Sequence, residues 1–309
     1  MVELKDLRVV FMGTPDFAVA SLDALVKAGA NIVGVVTGPD KQAGRGMKYT
    51  ETAVKKYAVN HKLPLLQPEK LRNPIFLEEL KKWNADVQIV VAFKMLPEIV
   101  WDMPPMGTIN LHGSLLPKYR GAAPINWAII NGEKETGVTT FQLKHEIDTG
   151  NILVKGILPI TENETAGELH DQMMVLGGKV LVETIQGLIT NTISPQPQDD
   201  IEGYPAPKIF KEDCEINWNS DLDKIHNFIR GLAPYPAATT TILDRQFKIY
   251  KIEKEITQVD TTNPKILCDN KTYLKIKTKN GYASILELQQ LGKKAMNIQD
   301  YLRGNKFEL

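Results

Sequence analysis

An apolar run that stops at a glycine, followed directly by a helix and a second apolar run, restricts this chain more than any other feature. Residues 7–13 (Leu-Arg-Val-Val-Phe-Met-Gly) read as a buried strand. Thr14 is the expected N-cap and Pro15 the expected first helical residue, with Phe17, Val19, Leu22, Leu25 and Val26 at helical spacing behind them. Asn31–Thr37 is a second apolar run. Two strands joined by a crossover helix pair in parallel, and a parallel sheet needs helices on its faces.

The alternation continues. Helices are predicted over 50–60, 73–84, near 124–131 and over 165–190, and strands over Asp86–Ala92, Gly107–His112, Thr136–Leu143 and Ile152–Ile160. This pattern predicts a doubly wound, mostly parallel α/β domain over 1–190. Residues 191–208 are polar and hold four prolines, a linker composition. A helix near 220–231 then gives way to short strands at 239–243, 246–254, 264–268, 273–277 and 282–288. Their spacing predicts a small β-barrel or sandwich over 209–309.

The 309 residues suit two domains of ordinary size. Lys+Arg and Asp+Glu both number 37, which excludes a histone-like binder or an acidic tail. The zero is a sum of opposite parts. Residues 1–205 hold 20 basic and 24 acidic side chains, and residues 206–309 hold 17 and 13. An excess of four suits an anionic partner for the second part, and chance imbalance fits equally well. The amino terminus shows no basic start followed by an apolar run, and no stretch approaches 18 apolar residues. Cys214 and Cys268 have no metal-ligand spacing. A cytoplasmic protein with two reduced thiols and no membrane contact is expected.

Ligands of doubly wound sheets bind at the carboxyl ends of the strands, here the loops after Gly13, Thr37, Ala92 and His112. The first turn, Gly13-Thr14-Pro15-Asp16-Phe17-Ala18, lacks the further glycines of a dinucleotide site. Residues 38–46 do not form a P-loop, no Gly-x-Ser-x-Gly occurs, and the five histidines are scattered. In Thr108-Ile109-Asn110-Leu111-His112, Asn110 and His112 share one strand face while Ile109 and Leu111 point to the core. Taken alone, the pair fits either chemistry or a hydrogen-bonded polar cap. Asp148, just past a later strand, can reach His112, and a carboxylate beside an imidazole orients the ring.

The run Asn110-Leu111-His112-Gly113-Ser114-Leu115-Leu116-Pro117, with Asp148-Thr149-Gly150, resembles the folate-dependent formyltransferases. The resemblance implies a Rossmann-like catalytic domain in which Asn110, His112 and Asp148 act together. They move a formyl group from 10-formyltetrahydrofolate to an amine, with no metal. It further implies that Ser114, Leu115, Leu116 and Pro117 line the folate site. Phe93 and Leu96 suit either the pteridine or the core.

Phe11–Ala18, Pro39–Gly46, Gly121–Ile125, Ile229–Ala238 and the ending Leu286–Lys294 with Tyr301–Gly304 resemble one branch of that family. In that branch the amine belongs to an initiator methionyl-tRNA and the second domain is an OB-like barrel. Residues 38–62 carry Lys41, Arg45, Lys48, Lys55, Lys56 and Lys62 against Asp40 and Glu51. The resemblance implies that Gly44, Arg45, Gly46 and Lys48 meet the tRNA acceptor end. Lys248, Lys251, Lys275, Lys277 and Lys279 are candidates for phosphate contacts, and a solvated strand face explains them as well.

One segment departs from the family pattern. Leu143-Lys144-His145-Glu146-Ile147 lacks a glycine usual before the Asp-Thr-Gly. Asp148 remains, and His145 is expected on the surface. Two rivals share the motif: a formyltransferase acting on an amino sugar nucleotide, and a non-catalytic RNA-binding module. A monomer is expected.

Overall fold

A computed structural model of the protein describes residues 3–43, 48–199 and 204–308. The first elements are β1 (Arg8–Gly13), α1 (Asp16–Lys27), β2 (Asn31–Val36), β3 (Lys41–Ala43), β4 (Lys48–Thr50), α2 (Ala53–Asn60) and β5 (Leu65–Leu66). Next come α3 (Pro74–Lys82), β6 (Val87–Val91), α4 (Glu98–Trp101), β7 (Thr108–His112), β8 (Arg120–Gly121) and α5 (Pro124–Ile130). The hairpin strands β9 (Glu135–Gln142) and β10 (Ile152–Pro159) lead into α6 (Ala166–Ile189) and β11 (Pro205–Ala206). The last part holds α7 (Leu222–Leu232), β12 (Ala238–Ile242), β13 (Arg245–Ile256) and β14 (Ile266–Cys268). It ends with β15 (Leu274–Lys277), β16 (Gly281–Gln290), β17 (Met296–Asn297) and α8 (Ile298–Gly304).

The chain forms two compact units. One comprises Met1–Gly121, Gly137–Leu158 and His170–Pro205, the other Ala122–Thr136, Pro159–Leu169 and Ala206–Leu309. The first unit is built on a seven-stranded sheet in the order β10-β9-β7-β6-β1-β2-β5. β1 pairs in parallel with β2 and β6, β2 with β5, and β6 with β7, while β7 meets β9 antiparallel. All five residues of β6 are buried, as a strand with helices on both faces requires. Fully burying one Val or Ile side chain stabilises by about 1.5–3 kcal/mol, so such strands hold the sheet together.

α1 starts one residue later than the sequence predicts. Pro15 is extended (ψ 179°) and occupies the N-cap position, and no side chain caps the helix. Thr14 therefore lies outside it.

The second unit is an antiparallel sheet in the order β12-β13-β16-β15-β14, with β17 added beside β16. Its core gathers Ile225, Ile229 and Leu232 of α7, Phe247 and Ile249 of β13, Leu288 of β16 and Tyr301 of α8. This unit also takes in residues 122–136 and 159–169, which the sequence assigns to the first domain. Asn126 of α5 donates to the Gly231 carbonyl at 2.7 Å. Only glycine fits at 231, since a Cβ would lie 2.6 Å from Ile130 Cγ1. Buried Arg230 donates to the carbonyls of Thr161 and Glu164 at 3.1 and 2.9 Å, fixing the second inserted segment.

Candidate active site

The alternation of β7 settles where its side chains go. Ile109 and Leu111 are buried on one face, and Asn110 and His112 stand on the other. His112 is only 7% exposed. Its Nε2 lies 2.8 Å from the Tyr119 carbonyl oxygen. A carbonyl only accepts, so Nε2 carries the proton there. That leaves Nδ1 as the free ring nitrogen, 3.8 Å from Asp148 Oδ2. The gap is too long for a hydrogen bond, so the contact is electrostatic. Asp148 Oδ2 accepts the Gly121 N–H at 3.0 Å. The half-buried Asn110 amide has no hydrogen-bond partner among the described residues, so its donors are available to a ligand.

The structure thus brings Asn110, His112 and Asp148 to the carboxyl end of β7, as the sequence anticipates. Asp148 sits in a left-handed conformation, φ +55°, which costs a non-glycine residue about 1–2 kcal/mol. Gly150 completes the turn, since a Cβ there would lie 1.6 Å from the Gln142 carbonyl oxygen. Two hydrogen bonds tie the segment that lacks the glycine usual before the Asp-Thr-Gly. Lys144 bonds Asn151 Oδ1 at 2.8 Å, and Thr149 bonds the Glu146 carbonyl at 3.1 Å. His145 is exposed, as expected.

Gln198 is a residue the sequence reading missed. Its Nε2 donates to the carbonyls of Asp148 at 2.9 Å and Gly150 at 2.7 Å. Its Oε1 accepts from Arg120 Nε at 3.1 Å and Nη2 at 2.8 Å. Gln196 pairs with Ile152 through two main-chain bonds, and the Tyr204 carbonyl accepts the Tyr119 N–H at 2.8 Å. Gln196, Gln198 and Tyr204 of the stretch expected as a linker are therefore bonded to the first unit. A polar, proline-rich composition signals irregular backbone, not an absence of contacts.

The four residues expected at the folate divide in two. Ser114 is buried, with its Oγ donating to the Lys118 carbonyl at 2.6 Å, and its own carbonyl accepts from Thr139 Oγ1 at 2.7 Å. Leu116 is buried in a cluster with Phe141 and Ile152. Those two side chains build the loop from inside. Leu115 and Pro117 stay partly exposed. Leu96 lies in the core with Val10, Met12 and Val90, and Phe93 packs against the same cluster.

Of the residues expected at the tRNA acceptor end, Gly44, Arg45 and Gly46 lie outside the described residues. Lys48 opens β4, the second strand of a hairpin whose register runs Lys41↔Thr50 to Ala43↔Lys48. The base of that hairpin is tied down. Lys55 pairs with Asp40, and with Glu51 at 2.9 Å. Gln67 donates to the Gly38 carbonyl at 2.8 Å and to Asp40 at 2.9 Å. The Lys55 ammonium lowers the Asp40 pKa, helped by Gln67, and Asp40 and Glu51 in turn raise that of Lys55. Lys55, counted above with the basic cluster, is committed to these carboxylates, while Lys41, Lys56 and Lys62 are exposed.

The lysines of the second unit also differ from expectation. Lys275 pairs with Glu255 at 2.8 Å, Lys277 donates to the carbonyls of Asp260 and Asn263, both at 2.9 Å, and Lys279 pairs with Asp221 at 3.2 Å. Lys279 lies beyond the end of β15, so the three do not form one free cationic face. Lys248 donates to the Pro236 carbonyl at 3.1 Å, and Lys251 is exposed.

A sequence profile described as formyl transferase matches residues 7–185, and one described as formyl transferase, C-terminal domain, matches residues 208–306. The chain belongs to the formyl transferase family. A methionyl-tRNA formyltransferase of Bacteroides thetaiotaomicron is 50% identical over 309 residues, covering 97% of this chain and 96% of that protein. One from Phocaeicola vulgatus is 52% identical, covering 98% and 97%. Among solved structures, an N-formyltransferase of Helicobacter canadensis, in complex with folinic acid and dTDP-3-aminofucose, shares the fold. Its TM-score is 0.68 at 24% identity, over 92% of this chain and 99% of that one. Among the described residues of this formyl transferase, no group of three or more His, Cys, Asp or Glu is placed to hold a metal ion. No described helix is long and apolar enough to cross a membrane.

Proposed function

We propose that this formyl transferase moves the formyl group of 10-formyltetrahydrofolate onto the α-amine of initiator methionyl-tRNA, giving N-formylmethionyl-tRNA for translation initiation. The observation that carries the reading is the roughly 50% identity, over 97% of the chain, to proteins named for that reaction. Asn110, His112 and Asp148, gathered at one strand end, supply suitable chemistry.

The amine nitrogen adds to the formyl carbon, and negative charge develops on the formyl oxygen. The unpartnered Asn110 amide donates to that oxygen. A donor of this kind contributes about 2.7–4 kcal/mol to transition-state stabilisation. The free Nδ1 of His112 is the ring atom available for proton transfer with the reacting groups. Asp148 balances the positive charge that builds on the ring. The bond from the formyl carbon to N10 then breaks, N10 takes up a proton, and the amine nitrogen has lost one.

Residues 1–190 serve as the catalytic domain and residues 209–309 as an OB-like RNA-contacting domain. Leu115, Pro117 and the main chain of Ser114–Pro117 line the folate. Gly44, Arg45, Gly46 and Lys48 meet the acceptor end. A monomer working in the cytoplasm fits this role.

An acceptor comparison tests the reading. The purified protein is given 10-formyltetrahydrofolate with charged initiator tRNA, or with a dTDP-linked 3-amino sugar. Formylmethionyl-tRNA is expected from the first and no product from the second. Formylation of the sugar alone would assign the protein to the other acceptor class, and binding of tRNA without transfer would make it a non-catalytic module.

A further inference from the structure

Two non-glycine residues beside His112 adopt the left-handed conformation, Asp148 at φ +55° and Tyr119 at φ +61°. Backbone in that region is held by its surroundings. The same stretch of chain holds both. Gln198 binds the carbonyls of Asp148 and Gly150, and the Tyr204 carbonyl receives the Tyr119 N–H. The Tyr119 carbonyl in turn receives the Nε2 proton of His112.

We propose that Gln198 is a positioning residue for formyl transfer, its carboxamide holding the main chain of 148–150 so that the Asp148 carboxylate faces Nδ1 of His112. The proposal rests on the reading that this pair acts in the transfer. Each amide hydrogen of Gln198 satisfies one of two carbonyls two residues apart. This staples the turn across the residue whose side chain must point at the imidazole. The orientation of the amide is itself fixed. Both Arg120 donors meet Oε1, and the reversed amide would set its N–H groups against the guanidinium and its oxygen against two carbonyls. Beyond Gln198, the turn is held by Lys144 on Asn151 Oδ1, by Thr149 on the Glu146 carbonyl and by the Gly121 N–H on Asp148 Oδ2, while the side chains of His145, Glu146 and Ile147 are exposed. A displacement of roughly 1 Å at such a pair lowers turnover by as much as about 100-fold.

The test compares Gln198→Ala and Gln198→Glu, each in the parent and in the Asp148→Asn background, by steady-state formylation of methionyl-tRNA. Glu keeps the length of Gln and the acceptor for Arg120 but cannot donate to the two carbonyls. Both variants are expected to lose about 10- to 100-fold in kcat, with the KM for each substrate within about threefold of the parent and thermal midpoints little changed. In the Asp148→Asn background, neither is expected to lower kcat further, because the residue acts through Asp148. A Gln198→Glu enzyme with near-parent kcat would overturn the proposal. So would a loss confined to KM, or one of equal size in the Asp148→Asn background. An inactive parent would overturn the functional reading and this proposal with it, whereas an active parent with unaffected variants overturns this proposal alone.

Discussion

Replacing Asp148 by Asn removes one charge and little else. Asn keeps the size of the side chain, and its Oδ1 can still accept the Gly121 N–H that now reaches Oδ2 at 3.0 Å. What is lost is the attraction between a carboxylate and a positively charged ring 3.8 Å away. The two side chains are 8% and 13% exposed, so bulk water screens them poorly. At an effective dielectric constant near 20, unit charges at this distance attract by about 4 kcal/mol. If the ring is cationic only in the transition state, most of that energy is absent from the ground state. Each 1.36 kcal/mol is a factor of ten, so kcat should fall by about 100- to 1,000-fold. The KM values for folate and tRNA should hardly move, because no substrate contact is removed. Steady-state formylation at saturating substrates measures this, with a thermal melt to show that the fold survives. A variant turning over within tenfold of the parent would mean that Asp148 does not balance charge in the rate-limiting step, and the role given to the pair would fail.

Three further outcomes are expected. Asn110→Ala should lower kcat by about 100- to 1,000-fold with a modest change in KM, through loss of one oxyanion donor; a fall below fivefold would place the formyl oxygen elsewhere. His226, in the second unit, is pushed down to about 4, chiefly by burial and then by the Lys254 and Arg230 charges. Its folded pKa lies below the unfolded value near 6.5, so the unfolded chain binds more protons between them, and stability falls as pH drops from 6.5 to 4 by about 3 kcal/mol. Denaturant melts across that window check this, and His226→Gln should flatten the His226 share of the slope; an unchanged slope would contradict it. Arg45→Ala should raise the KM for tRNA and lessen its dependence on salt while leaving the KM for folate unchanged, and equal kinetics with tRNA would remove the hairpin from RNA contact.

Much of the fold was legible because its determinants are local. The strand-glycine-helix opening and the period-two face of Asn110 and His112 depend on neighbours a few residues away. So did the approach of Asp148, since β9 and β10 form a hairpin whose loop returns to the end of β7. What stayed hidden depends on distant partners. Gln198 lies in a polar, proline-rich stretch, and nothing in its own sequence marks a glutamine that reaches carbonyls 50 residues back. Lys55 reads as one cation among six until Asp40 and Glu51 are seen around it. Ser114 and Leu116 belong to a run that reads as a ligand loop, yet Thr139 and Phe141 draw them inward. The insertion of residues 122–136 into the second unit likewise depends on distant partners, with Asn126 on the Gly231 carbonyl and Trp127 on the Pro207 carbonyl.

The central claim is that one strand end carries out formyl transfer to methionyl-tRNA, and His112 is its fulcrum. Single-turnover transfer of a labelled formyl group, with parent and His112→Ala enzymes saturated in both substrates, addresses it most directly. The account predicts rapid appearance of label on the methionyl-tRNA with the parent. With the variant it predicts transfer slower by at least about 1,000-fold while both substrates still bind, from the loss of proton transfer at Nδ1 together with the charge balance that Asp148 gives the ring. A near-parent rate from the variant would contradict it.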